Sequence, residues 1–338
     1  MLLILAISLG FAFSSTPTYY KFSYSAGYDN NVLRFSKSEI KESNSNPSIL
    51  GGANSFDSFL NKFSLATDKT IFIKKNHQVK YNIGISKTLY SNNINKDYWS
   101  GNVQLKYRWG SYKNIKYSFR HLNRFYLRHY IDRDISNDSY KPCFFSDQKQ
   151  MLSFSQKVNK STWVNLSYIS LNRYYDRPFT EFDLDILSYR LKINRKFSSK
   201  ILLSFQIENG QANNISYLKT AVSSDFDRSY KTKEFYVPLI MNDIISYIST
   251  LGMSYRIEDR KYIAENTYDP LHAGRSHQDR KIDMWFEKNI NDEIKFIFQI
   301  RNRLRDTSSS YKWVDNLKSF RQTQISCKIQ WGYIYDKY

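Results

Sequence analysis

The chain has 338 residues, a formal charge of +19 from 50 Lys and Arg against 31 Asp and Glu, and a mean hydropathy of −0.59. Aromatic residues make up 17% of it (Tyr 28, Phe 23, Trp 6), against 11 Gly and 6 Pro, a bias towards pleated surfaces and away from helices. Its two cysteines, Cys143 and Cys327, lie far apart with no Cys-x-x-Cys or Cys/His spacing, which argues against a structural zinc site, and no metal or other cofactor is expected.

In chain order, Leu2–Phe13 is an apolar run of about a dozen residues followed by Ser14, Ser15 and Thr16. That is the length of a signal-peptide core and too short to span a bilayer as a helix. Residues 1–17 are read as a signal peptide, without the usual basic start, and 18–338 as one domain. No later run approaches the roughly 18 apolar residues of a transmembrane helix. Any membrane crossing must therefore use strands.

The first strand carries Tyr20, Phe22, Tyr24, Ala26 and Tyr28 on one face and Lys21, Ser23, Ser25, Gly27 and Asp29 on the other. A polar stretch over 30–56 follows, and "FLNKFSLAT" resumes the alternation. After "KKNH", Val79, Tyr81, Ile83, Ile85 and Leu89 share a face. In the next pair, Val103, Leu105, Tyr107 and Trp109 are followed by Ile115, Tyr117 and Phe119. Residues 131–147 read as a long loop, which places Cys143 in a loop and Cys327 in a strand, both as free thiols. Leu152, Phe154 and Val158, then Val164, Leu166 and Tyr168, flank a short turn. Leu187, Tyr189, Leu191 and Ile193 precede "SSK" and Ile201, Leu203, Phe205 and Ile207. Loop-like 209–230 leads to a pair interrupted by Pro238, a residue that argues for a weak or edge-like position. A loop over 259–279, two further strands and a loop over 306–318 lead to Ile325, Cys327, Ile329, Trp331, Tyr333 and Tyr335.

About 14 segments of roughly 9–14 residues thus alternate, the length of membrane strands. Their connections run long, short, long, short throughout. An antiparallel barrel with short periplasmic turns and long external loops has that regularity, whereas a soluble sandwich has no reason to sort loops by parity. Lipid requires an apolar outer face and a hydrated lumen permits a polar inner one, so the average hydropathy looks soluble. Trp109 and Trp331 fall on the apolar face near the short-turn end, as an aromatic girdle requires. A soluble all-β sandwich or solenoid is the alternative. It would have to bury these tyrosines in a core, and the segments lack a fixed repeat period.

"GYDNNV", the Tyr-rich alternation and the closing "IQWGYIY" resemble Gram-negative outer-membrane β-barrel proteins over nearly the whole mature chain. The resemblance implies an outer-membrane location and a C-terminal signal for the barrel-assembly machinery at Trp331, Tyr333, Tyr335 and Tyr338. More narrowly, "DPLHAGRSHQDRKIDMWFEKNI" is similar to the barrel of surface lipoprotein assembly modifiers, which implies export of a surface protein or polymer.

The strand residues facing away from lipid include Lys106, Arg108, Lys116, Arg120, Arg190, Lys192, Lys295, Arg301, Arg303 and Arg305. Same-face neighbours lie about 6.6–6.8 Å apart, so these cations form a ladder that lowers the barrier to anions, unless Asp and Glu on other strands neutralise it. Lys and Arg spread along the chain, with no basic block, argue against nucleic acid. Outer-membrane lipid and small anionic solutes are the expected partners. His272 and His277 with Asp269 and Asp279 share one predicted loop, but no hydrolase or phosphate-binding motif accompanies them, so catalysis is not expected. His121 and His129 share a strand and read as lumen or rim residues. Asp183 and Asp185 have lipid-facing parity, which sets the membrane boundary between Asp185 and Leu187. Passage of small solutes is the leading function, with export and an architectural or adhesive barrel of occluded lumen as alternatives.

Overall fold

The computed structural model describes residues 16–132, 135–136, 139–218, 226–264, 266 and 268–336. The signal-peptide expectation falls almost entirely outside them, as does Tyr338.

Fourteen antiparallel strands close into a barrel: β1 (Thr18–Asp29), β2 (Ser58–Lys74), β3 (His77–Tyr90), β4 (Tyr98–Gly110), β5 (Lys113–Ile131), β6 (Tyr140–Lys157), β7 (Thr162–Tyr175), β8 (Leu184–Lys196), β9 (Ile201–Asn214), β10 (Tyr230–Ile245), β11 (Ile248–Tyr262), β12 (Ser276–Asn289), β13 (Ile294–Ser308) and β14 (Phe320–Tyr335). Each strand pairs with its sequence neighbours, and β1 closes the ring on β14 from Thr18↔Tyr335 to Asp29↔Gln324. Closure leaves no unpaired edge, which is the condition for a sheet to sit in hydrocarbon. The connections at one end are two to four residues long, and those at the other end are all longer.

The faces divide by parity as the alternation requires. Ile83 is 47% and Tyr189 68% exposed on the outside, while Ser23 on the inside is only 7% exposed. Leu105, Leu166, Leu191, Phe205, Met253 and Ile282 are exposed on the same outer face. A continuous apolar band of this kind in water would be a large liability. Rings pack together within the band: Phe22 stacks across strands on Trp331 at 5.6 Å, and Trp109 lies 5.6 Å from Tyr107 on its own strand and 5.9 Å from Phe154 of β6. Trp163 and Trp285 have the opposite parity and turn inward. Trp285 lies over Gly252, where any β-carbon would come within 2.1 Å of the indole.

Several expectations change. Strands run 12 to 19 residues, longer than predicted, because several rise above the band at the long-loop end. Residues 140–147, read as loop, belong to β6, so Cys143 lies buried in a strand where Tyr140–Phe145 pairs with the tip of β5. Residues 259–262 and 276–279 likewise extend β11 and β12. Pro238 is not on an edge. It sits inside β10 opposite Ser254 of β11, and the register with β9 passes from Tyr236↔Gln206 to Leu239↔Leu203 without a pair at 237 or 238. The missing N–H therefore weakens one ladder only. Cys143 and Cys327 are both free.

The long loop over residues 30–57, with helix α1 (Lys37–Glu42), forms a small core of its own. Val32, Leu33, Phe35 and Leu50 bury against Tyr126. This is possible because β4 stops opposite Asn123, leaving residues 124–131 of β5 without a partner on that side. Helix α2 (Lys312–Lys318) packs on β13 and touches α1.

Candidate functional site: the lumen and its vestibule

The predicted cationic ladder does line the inner face, but its members have different surroundings. Lys106 on β4 stands in register with Lys80 of β3 on one side and Lys116 of β5 on the other. Three lysines therefore sit side by side in one tier. Strands β3, β4 and β5 contain no Asp or Glu. Among the described residues no carboxylate lies within ion-pair reach of Lys80, Lys106, Arg108, Lys116, Arg120 or Lys192. Like charges directly opposite one another destabilise a sheet unless something anionic answers them.

The other ladder members are answered. Arg190 meets Glu208 at 2.6 Å, Lys295 meets Glu287 at 2.8 Å and Arg301 meets Asp283 at 2.5 Å. Arg303 and Arg305 share Asp279, at 3.1 and 2.6 Å. Asp279 is buried and its two arginines mostly so, with side chains 11% and 18% exposed, and the triad holds two positive charges on one carboxylate. The sequence did not single out Lys62, Lys80, Lys149, Lys281 or Lys328, although their parity places all five on the inner face. Small polar residues fill the spaces between: Asn194 donates to Asn165 at 2.6 Å and accepts from Ser204 at 2.8 Å, and Ser167 bonds Ser153 at 2.9 Å.

At the long-loop end the 30–57 loop is tied down from several sides. Gln322 and Gln324 donate to Asp29 at 2.7 and 2.6 Å, and the Asn31 side chain donates to the carbonyls of Phe35 and Arg321 at 2.8 and 2.9 Å. Ser36 and Glu39 form a reciprocal cap on α1. Arg128 then pairs with Glu39 at 2.5 Å and donates to the carbonyls of Leu33 and Arg34 at 3.0 and 2.7 Å. The "DNN" that follows β1 is thus a knot that fixes the loop. The knot sets Arg34, at φ +55°, within electrostatic reach of Arg303 and Arg305. Burial and those two arginines lower its guanidinium to about 9, so it remains charged at neutral pH.

Between these loops and the strand tips lies a cavity of about 490 Å³, lined among others by Tyr130, Tyr175, Phe179, Tyr230, Tyr262 and Trp313. Its cations are Arg128, Arg173, Arg228, Arg260, Arg275, Arg305 and Lys318.

The four residues weighed for catalysis do not converge. His277 and Asp279 are on β12, not in a loop, because the strand begins at Ser276. His277 bonds Thr307 at 3.1 Å, Asp279 is taken by its two arginines, and only His272 and Asp269 meet, at 2.7 Å. Burial lowers the His272 imidazole to about 4, against the pull of Asp269. His121 packs against Trp99 and His129 bonds Tyr126 at 2.6 Å. Asp185 accepts from Asn172 at 3.3 Å and is in register with Asn213, an outward polar tier above Leu187. Of the C-terminal aromatics, Trp331, Tyr333 and Tyr335 lie on the outer face of β14; Tyr333 and Tyr335 are exposed there, while Trp331 is partly covered by Phe22.

No family model matches the chain, and no curated protein matches it in sequence, so the similarity to surface lipoprotein assembly modifiers gains no support. Solved structures similar to it include an anion-selective porin from Comamonas acidovorans, 8% identical, covering 94% of this chain and 98% of that one with a TM-score of 0.45. OmpT of Vibrio cholerae, an outer membrane protein with its loop L8 deleted, is 7% identical over 94% and 99% of the two chains with a TM-score of 0.48. OpdK of Pseudomonas aeruginosa with vanillate is 7% identical over 95% and 100%, with a TM-score of 0.44.

Proposed function

We propose that the chain is an outer-membrane barrel that passes small solutes and favours anions. The closed sheet, the outward apolar band and the sorting of its loops by length support the membrane placement. The outward aromatics of β14 and the alternating faces fit a chain handled by the barrel-assembly machinery. Selectivity rests on one observation, the Lys80–Lys106–Lys116 tier, continued by Arg108 and Arg120 on a wall without carboxylates. A passing anion, with water, supplies the counter-charge that the protein withholds, as rings of Lys and Arg do in anion pores.

The test is the reversal potential of the purified protein in a planar bilayer under a salt gradient. Anion selectivity supports the reading and cation selectivity refutes it. The inward-packed 30–57 loop favours a second reading, an architectural barrel with an occluded lumen. That reading predicts no conductance from the intact chain, and conductance only once the loop is shortened.

A further inference from the structure

Arg275 is 5% exposed and lines the vestibule cavity, yet among the described residues its side chain has no partner to neutralise it. Among the described residues no carboxylate pairs with it and its guanidinium makes no hydrogen bond; its Nε is buried without an acceptor. The group lies 4.0 Å over the ring of Tyr262. It is held from behind, since its backbone N–H donates to His272 at 3.1 Å and its carbonyl accepts from Tyr262 at 3.0 Å. Buried guanidinium donors are almost always satisfied, so an orphan facing a cavity calls for a ligand.

The other cavity arginines provide the contrast. Arg128 has Glu39, Arg173 has Asp147 at 2.8 Å, Arg260 has Glu258 at 2.9 Å and Arg305 has Asp279. Lys318, at the end of α2, is the second exception: its ammonium lies 5.7 Å over the ring of Tyr130 and among the described residues no carboxylate pairs with it. Arg275 and Lys318 are close enough to repel. Neighbouring His272 is uncharged and committed to Asp269, so it neither competes nor compensates.

We propose that Arg275 and Lys318 form a saturable site for the oxyanion group of a small solute, a carboxylate, sulfate or phosphate, with Tyr130, Tyr262 and Trp313 around the rest of the molecule. This deepens the passage reading by giving the lumen a docking point at its mouth. It also makes a claim, equilibrium binding, that passage alone does not require.

The experiment is titration calorimetry of the detergent-solubilised full chain with sodium sulfate, and separately with sodium succinate and inorganic phosphate to distinguish the sources of the oxyanion. At least one of the three binds saturably, and Arg275→Gln and Lys318→Gln each weaken that binding at least about tenfold, the loss of one charge-assisted hydrogen bond. Arg275→Lys, which keeps the charge but not the fork, recovers part of it. Heat-modified migration on a gel shows that each variant is folded. No saturable binding of any of the three, or equal affinity in folded variants, overturns the site. The bilayer reversal potential judges passage separately, so an anion-selective pore without a binding isotherm sinks this inference alone.

Discussion

Two walls of the barrel face one another, and they are built on opposite rules. On β3–β5 the inward cations have no acids at all, and Lys80, Lys106 and Lys116 stand in a row. On β9–β12 Glu208, Glu234, Glu258, Asp279, Asp283 and Glu287 face inward, and Arg190, Arg256, Arg260, Arg301, Arg303, Arg305 and Lys295 are bound to them. In a closed ring of fourteen, β4 is seven strands from β11, so the bare wall and the paired wall are diametrically opposed. The pairs on one side are structural: they satisfy guanidinium forks with charge-assisted bonds. The unpaired ammonium groups on the other leave their field in the lumen. The space between the walls therefore has a transverse field, positive at β3–β5.

Neutralising the bare wall is the strongest way to break this contrast. Replacing Lys80, Lys106, Arg108, Lys116 and Arg120 together by Gln is expected to lower the anion-to-cation permeability ratio by roughly an order of magnitude, since each charge contributes a fraction of a kcal/mol to the entry barrier. Folding should survive, because removing like-charge neighbours relieves repulsion. An unchanged reversal potential in a folded variant would show that the bare wall does not set selectivity.

The converse operation on the paired wall is Asp279→Asn. It leaves Arg303 and Arg305 buried without a counter-charge, and removing one partner of a buried pair costs about 3–5 kcal/mol. The barrel should unfold at markedly lower urea than the parent, read by the loss of heat-modified migration. A change below about 1 kcal/mol would mean that solvent in the lumen screens the triad as it would a surface pair.

How far this contrast was legible in the sequence depends on what each inference needed. Parity assigned each residue of the ladder to one of two faces, because a side-chain period of two leaves no third choice. Loop lengths gave the strand number and the topology for a similar reason. Pairing was not legible. Whether Arg190 is free or bound depends on Glu208 lying opposite it, a matter of register across a turn that parity alone leaves open. The near absence of Asp and Glu between residues 77 and 131 was a signal in plain view, with Asp97 alone in a loop. It distinguishes the bare wall without any register. Arg275 and Lys318 carried no periodic signal, since both belong to the vestibule and one of them lies in a loop whose course depends on packing. Residues 140–147 misled because their polar members, Lys141, Ser146 and Asp147, lie above the apolar band, where a strand no longer has to alternate.

A smaller effect sharpens the comparison at the vestibule. Burial, then the repulsion of Arg128 and Arg275, lowers the Lys318 ammonium to about 7; Glu39 opposes this and Arg305 adds to it. The protonated form, which binds oxyanions, is therefore present below pH 7 and lost above it. A bound anion shifts that loss upward. Sulfate keeps its charge across this range and His272, at about 4, does not titrate in it. Sulfate affinity should fall severalfold as the pH is raised from 6 to 9, and Lys318→Arg should reduce the fall to the part set by the Tyr262 phenol, which, against the effect of burial, Arg275 and Arg260 lower to about 8. A fall of the same size in the Arg variant would assign it to another group.

The mildest perturbation separates two kinds of pair within the paired wall itself. Arg301 and Asp283 meet at 2.5 Å, but the arginine side chain is 43% exposed to the lumen, against 11% for Arg303. Asp283→Asn should therefore cost under about 1 kcal/mol, the range of exposed pairs, where Asp279→Asn costs several. It should also add a free cation to a wall where, among the described residues, Lys281 alone of the inward cations on β12 lacks an ion-pair partner, raising the anion-to-cation permeability ratio by a factor below that lost from the bare wall. If Asp283→Asn destabilised the barrel as much as Asp279→Asn, the distinction between a lumen-facing pair and a buried triad would fail. The lumen at that height would then have to be treated as protein interior and not as water.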